Sequence, residues 1–271
     1  MKKFTVCLLL VFIIFAVGCS AQSPVFSFGV WWWNDSLEYS FVDFASQNNI
    51  NQIYYCNSTF DQNTAEFIEY SNNKNIKVFW LAGEYQWLED NSKLIQKINN
   101  YTTYNSSFSN AKFSGIHLDI EPHQHPDFKI KHTDLIHKLI NLAHTLKTNY
   151  PQISFCYDIP FWLDDNITFN NQTKPAYAHM IDIADGITLM SYRDTAQEIY
   201  DVSKDEIEYA ISTNKTLTLG VETKSTEGDK VSFMEEGKQI MYTEIESLKQ
   251  MLPKNFGVAI HHIKSWFDLD D

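Results

Sequence analysis

Eight short apolar runs punctuate the chain, near residues 26–33, 50–56, 76–82, 113–121, 153–159, 186–192, 216–222 and 256–262, and helical or loop stretches separate each from the next. Each run has the length and the β-branched and aromatic content of a strand. The clearest helical stretches, residues 133–150 and 236–252, carry apolar stripes of Leu135, Ile136, Leu139, Leu142, Ala143 and Leu146, and of Met241, Ile245, Leu248 and Leu252. Pro151 and Pro253 stop them. Parallel strands need a crossover between them, so strand and helix in alternation imply a parallel sheet, and eight strands close into a barrel. A doubly wound open sheet alternates in the same way, but it places a glycine-rich phosphate turn after its first strand, where this chain has Gly29-Val30-Trp31-Trp32-Trp33. The expectation is an α/β fold, a (β/α)8 TIM barrel with a single domain at residues 22–271, behind an N-terminal segment of residues 1–21.

Polarity within the runs says which way their side chains point. Ile116, Leu118 and Ile120 alternate with His117, Asp119 and Glu121; Phe155, Tyr157 and Ile159 with Ser154, Cys156 and Asp158; Leu217, Leu219 and Val221 with Thr218, Gly220 and Glu222. In a barrel the apolar sets face the helices and the polar sets face the lumen. A one-sided sheet with its polar face in water has the same period. Glu121 and Glu222, however, end their runs, and strand C-termini are where barrels build active sites. By the same alternation Trp31 and Trp33 point inward if Phe28 and Val30 pack outward, and His261 points inward beside Ala259.

Lys2 and Lys3, the apolar run of residues 6–17 and the small residues after it have the order of an export signal too short to remain a membrane span. Ala16-Val17-Gly18-Cys19 is similar to a bacterial lipoprotein box, in which Cys19 is lipidated; ordinary cleavage after Ala21 is the alternative. The expected localisation is therefore secreted, or a cell-surface or periplasmic lipoprotein whose only membrane contact is its anchor. A formal net charge of -13 repels nucleic acid. Nothing in the spacing of Cys56 and Cys156 pairs them, and two buried thiols are expected.

Cleaving a glycosidic bond takes a proton donor and a second group that stabilises or attacks the sugar carbon. Glu121 suits the first role. Asp119, two residues back on the same face, can raise its pKa or hydrogen-bond to it. Trp31, Trp33, Tyr54, Trp80, Trp87, Trp162, Tyr192 and Trp266 stand at strand ends or in the loops beyond them, where flat rings suit sugar faces. His117, Asp119, Glu121, His123 and His125 invite a metal reading, yet the first strand has no histidine to join them, so no metal and no cofactor is expected.

Ser114-Gly115-Ile116-His117-Leu118-Asp119-Ile120-Glu121 resembles the Asp-Gly-x-Asp-x-Asp-x-Glu signature of glycoside hydrolase family 18, the chitinase-like barrels, with Ser114 and His117 replacing its first two acids. Met190-Ser191-Tyr192 resembles that family's Met-x-Tyr at the end of the sixth strand, although Arg193 stands where an Asp or Asn usually follows. The resemblance implies Glu121 as acid/base, Asp119 orienting the substrate's own acetamido group as nucleophile, Tyr192 bonding that group, and Trp266 as a sugar-stacking ring. Glu121-Pro122 and Glu222 also resemble the acid/base and nucleophile of clan A retaining glycosidases, although Ile120 stands where that clan commonly has Asn. The expected protein is a monomeric, retaining glycoside hydrolase with catalytic Glu121, Asp119 and Glu222, and a carbohydrate subsite shaped by Tyr192, Asp158, Arg193, Trp31, Trp33, His117, His261 and Trp266. A non-catalytic carbohydrate-binding lipoprotein on a decayed barrel, and a metal-dependent deacetylase or amidase, are the competing readings.

Overall fold

The computed structural model of the chain describes residues 26–33, 37–225, 228 and 230–271. Residues 1–21, where an export signal is expected, and with them Cys19, lie outside the described residues. Eight parallel strands close the barrel: β1 (Ser27–Trp32), β2 (Gln52–Cys56), β3 (Lys77–Ala82), β4 (Ile116–Leu118), β5 (Phe155–Pro160), β8 (Gly186–Met190), β9 (Leu217–Glu222) and β10 (Gly257–His261). Helices α1 (Tyr39–Gln47), α2 (Gln62–Asn72), α3 (Ser92–Ser107), α4 (Phe128–Asn149), α5 (Ala176–Ile183), α6 (Ala196–Val202), α7 (Lys204–Ser212), α8 (Lys238–Met251) and α9 (Ile263–Asp268) lie between and after them. The strands run in sequence order around the ring, with β1 closing against β10 in register Ser27 to Gly257.

Asparagine does much of the work of turning helix into strand. Asn49, Asn75 and Asn214 take the left-handed backbone conformation just beyond α1, α2 and α7. The next amide in each case bonds back to the last helical turn, Ile50 to Ala45, Ile76 to Ser71 and Lys215 to Ala210, at 2.8–3.0 Å. These are Schellman closures with Asn in the place glycine usually takes, and in two of them the next residue is an apolar one that leads straight into a strand.

Two apolar layers result. Phe28, Val30, Trp32, Ile116, Leu118, Phe155, Tyr157, Leu217 and Leu219 pack outward into the helical shell, while Trp31, Tyr54, Phe79, Leu81 and Ala259 form a smaller cluster inside the barrel. The faces are those the alternation assigns. Cys56 and Cys156 are half-buried beside the inner cluster and are not disulfide-bonded. Burial pushes the Cys156 thiol up to about 12, so it is an inert thiol rather than a nucleophile.

The structure departs from the sequence reading in two places. β4 is only three residues long, because the chain leaves the sheet for a 3-10 turn at Pro122–Gln124, although the Asp119 amide still bonds to Ala82 O at 3.0 Å. After β5 comes an antiparallel hairpin, β6 (Asn166–Phe169) with β7 (Gln172–Pro175). Its turn is Asn170-Asn171, both at positive φ, the requirement of a two-residue type I′ hairpin met without glycine.

Glu206, on α7, is 1 % exposed and one of its carboxyl oxygens has no partner. Burial, then the charges of Asp164 and Asp205, push its pKa from 4.5 up to about 8. A raised acid stabilises the fold below its unfolded pKa and loses that contribution as pH climbs to the folded value. Stability is therefore expected to decline between about pH 4.5 and 8 by an amount on the order of a few kcal/mol. Glu206→Gln should flatten that decline in denaturant titrations at several pH values and leave the variant more stable than the parent above pH 8.

Candidate active site

At the C-terminal mouth of the barrel is a cleft of about 430 Å³. Seven of the expected residues line it: Trp31, Trp33, Asp119, Glu121, Asp158, Tyr192 and His261. They come from five strands or strand ends, so the acids of distant runs do meet. Gly83 makes room for them: a Cβ there would lie 1.9 Å from the Asp119 carbonyl oxygen. Gly220 does the same on the opposite wall, where a Cβ would press at 3.2 Å on the rings of both Trp31 and Tyr192.

Asp119 and Glu121 leave the end of β4 side by side with different surroundings. Asp119 Oδ1 is buried without a hydrogen-bond partner. Burial, then the negative charges of Asp158 and Glu121, hold its carboxyl well above the usual range. Glu121 is more open, with Gln124 donating to Oε2 and His123 Nε2 lying 3.3 Å from Oε1. Across the cleft, burial and then the charge of Glu222 push the Tyr192 phenol well above its ordinary value, so it stays a hydrogen-bond donor.

Asp158 is 3 % exposed and fully engaged from below. Trp31 Nε1 donates to Oδ2 at 2.9 Å, and His117 Nε2 lies 2.7 Å from Oδ1. His117, expected to touch substrate, is instead 1 % exposed beneath the cleft, stacked on Tyr54 with ring centroids 3.8 Å apart. Its position two residues below Asp119 on a lumen-facing register puts it one layer too deep.

Three further expectations need correction. Glu222 is 4 % exposed and does not line the cleft; Oε1 accepts from the amides of Thr223 (2.8 Å) and Lys224 (2.7 Å), and Oε2 is 2.8 Å from His261 Nδ1. Both carboxylate oxygens are tied into the strand end, where they brace the loop and His261. Trp266 is fully buried in the helical shell against Phe44, and its indole N–H donates to the Tyr242 hydroxyl at 3.2 Å. The chain enters α9 immediately after β10, which turns Trp266 outward and away from any sugar. Arg193 misses the central cleft; it lies over the Phe161 ring and lines an adjoining hollow of about 210 Å³ together with Glu121, His123, Trp162 and Tyr192.

Tyr85, Gln124, Met190 and Lys224 complete the lining and were not among the expected site residues. Gln124 was within reach of sequence reading, three residues after Glu121 in the same tight turn. Among the described residues no group of three His, Cys, Asp or Glu side chains is placed to hold a metal. The histidines of the segment after Glu121 diverge, His123 toward Trp162 and His125 toward Tyr85.

No sequence-family model and no curated protein matches the chain. Solved structures do. A glycoside hydrolase family 18 chitinase from Pseudoalteromonas aurantia aligns at a TM-score of 0.59 and 13% identity over 88% of this chain and 94% of that one. The family 18 chitinase of Cycas revoluta, solved in complex with (GlcNAc)3, aligns at 0.53 and 12% over 89% and 96%. The fold is that of the family 18 barrels. The spore cortex-lytic enzyme of Bacillus megaterium also aligns with this chain, at a TM-score of 0.54 and 13% identity over 92% of this chain and 74% of that one. In this barrel Asp119 and Glu121 stand just beyond the C-terminal end of β4 and line the cleft.

Proposed function

We propose that the chain is a retaining glycoside hydrolase acting on a glycan of N-acetylated hexosamines. Glu121 is its acid/base and the substrate's acetamido oxygen its nucleophile. The observation that carries this is the division of labour among three acids: Glu121 open to the cleft, Asp119 buried beside it with an unused oxygen, and Glu222 saturated by hydrogen bonds.

In the first step Glu121 gives its proton to the leaving glycosidic oxygen, while the acetamido carbonyl oxygen attacks the anomeric carbon from the opposite face. The C–O bond to the leaving sugar breaks and a cyclic oxazolinium forms. Tyr192, held as a phenol, donates to the acetamido group, and Asp119 meets its N–H side. Glu121, now a carboxylate, takes a proton from water, which opens the ring and restores the original anomeric configuration. Trp31 and Trp33 supply aromatic surface for the sugar, and His261, held by Glu222 through Nδ1, lines the cleft beside them. The solved relative in complex with (GlcNAc)3 supports the substrate class. Export by residues 1–21, lipidation at Cys19 and a monomeric state belong to the same proposal.

Purified protein should cleave N-acetylated hexosamine oligomers with retention, read by NMR of the fresh products, and should leave the de-N-acetylated oligomers intact. Equal cleavage of both would return the nucleophile to Glu222. The loss of signature acids at Ser114 and His117 favours one rival, a barrel that binds glycans without turning them over; it would show saturable binding and no products.

A further inference from the structure

The chain has 21 lysines and arginines, and Arg193 is the only arginine among them. It stands beside the cleft. β5 and β8 pair in register Pro160 to Met190, so the two strands deliver Phe161-Trp162 and Tyr192-Arg193 to the barrel mouth side by side. Between them lies the hollow of about 210 Å³, and Glu121, Met190 and Tyr192 border both it and the central cleft. Arg193 is held there without being neutralised. Its Nη1 donates to the Tyr192 carbonyl at 2.7 Å, and the guanidinium lies 4.9 Å over the Phe161 ring. Among the described residues no carboxylate forms an ion pair with it: Glu121, on the same hollow, is engaged with Gln124 and His123, and Asp194, next in the chain, keeps a buried oxygen without a partner. A chain of formal net charge -13 thus sets its one arginine next to the carboxyl read as the acid/base and spends none of its charge on the protein's own acids.

What the hollow is for follows from Glu121, and this step rests on the hydrolase reading. A glycosidase's proton donor stands between the sugar whose anomeric carbon reacts and the sugar that leaves. Asp119 lines only the central cleft, so the reacting sugar belongs there, and the adjoining space that Glu121 also borders is where the leaving sugar goes. We propose that the hollow is the leaving-sugar subsite and that Arg193 makes it select a leaving sugar bearing a carboxylate. Trp162, 37% exposed and met edge-on by His123 at 5.2 Å between ring centroids, offers a flat face to that sugar. A guanidinium is a planar fork of donors that matches the two oxygens of a carboxylate. One already stacked on Phe161 and bonded to Tyr192 loses little freedom in taking such a partner. Lys224 also lines the central cleft, so charge alone would draw an anion to either side of Glu121. The planar fork is present only in the hollow, and it places the carboxylate on the sugar that departs.

The test uses GlcNAc dimers in which one sugar carries a carboxylate, either as the C6 uronate or as a carboxymethyl ether on O3, each compared with its own primary amide. With the acid on the leaving sugar, kcat/KM should exceed that of the amide by about tenfold or more for at least one placement, the worth of a charge-assisted hydrogen bond. With the acid on the reacting sugar that advantage should be absent. Arg193→Gln should bring the ratio of acid to amide to about one, and Arg193→Lys should keep part of it, because the charge remains and the fork is lost. The comparison in the unmodified protein needs no variant to fold. A ratio near one in a protein that cleaves both dimers, or the same preference whichever sugar bears the acid, overturns the inference and leaves the hydrolase reading standing. Where neither dimer is cleaved, calorimetric affinities decide: tighter binding of the acid that Arg193→Gln abolishes upholds carboxylate recognition at Arg193 and removes the hydrolase reading, whereas equal affinities for acid and amide remove both.

Discussion

Glu121→Gln should cut turnover of N-acetylhexosamine oligomers by about 10²–10⁴-fold, the usual contribution of a positioned general acid. Binding should survive, because the amide has nearly the shape of the carboxyl and can keep its contacts with Gln124 and His123. Steady-state rates and calorimetric affinity on the same preparation check both halves. The lost proton is only half of the expected deficit, since the same residue must accept a proton from water in the second step. Substrates with a leaving group that needs no protonation should therefore recover part of the first step and none of the second. Turnover within a few-fold of the parent would remove Glu121 from the mechanism and with it the assignment of the cleft.

Asp119→Asn is the second large effect, a loss of about 10²–10³-fold in kcat with little change in KM, as expected for a group whose contribution is made at the transition state. Stability should move the other way. The aspartate is buried with an oxygen that nothing donates to, and two acids raise the cost of its charge. Relieving that arrangement should leave the variant at least as resistant to heat as the parent, measured by thermal melting. A residue there for structure would lose stability and activity together; one there for chemistry gives up activity and gains stability.

Strand polarity has a period of two whatever lies between the strands, so the barrel and its lumen-facing residues are legible in the sequence. That period sets His117, Asp119 and Asp158 in the lumen, and the outward packing of Val30 sets Trp31 there; all four are inside the barrel. Depth along a strand has no such signal. The alternation sets His117 in the cleft, although it lies a layer below, and it cannot show that the amides of Thr223 and Lys224 fold back onto Glu222, the expected catalytic group. Trp266 faces the helices for a related reason: the direction in which the chain leaves β10 decides where the ring points, and strand polarity says nothing about it. The hairpin at β6 and β7 went unread because its turn uses two asparagines in place of Asn-Gly.

In the proposed reaction Asp119, Glu121 and Tyr192 act on one sugar at the barrel mouth. Its most direct test is a crystal structure of the Glu121→Gln protein soaked with a GlcNAc oligomer. The expected result has the scissile oxygen within hydrogen-bonding distance of residue 121 and the acetamido group between Asp119 and Tyr192. An oligomer bound elsewhere, or in the cleft with its acetamido groups turned to solvent, would contradict it.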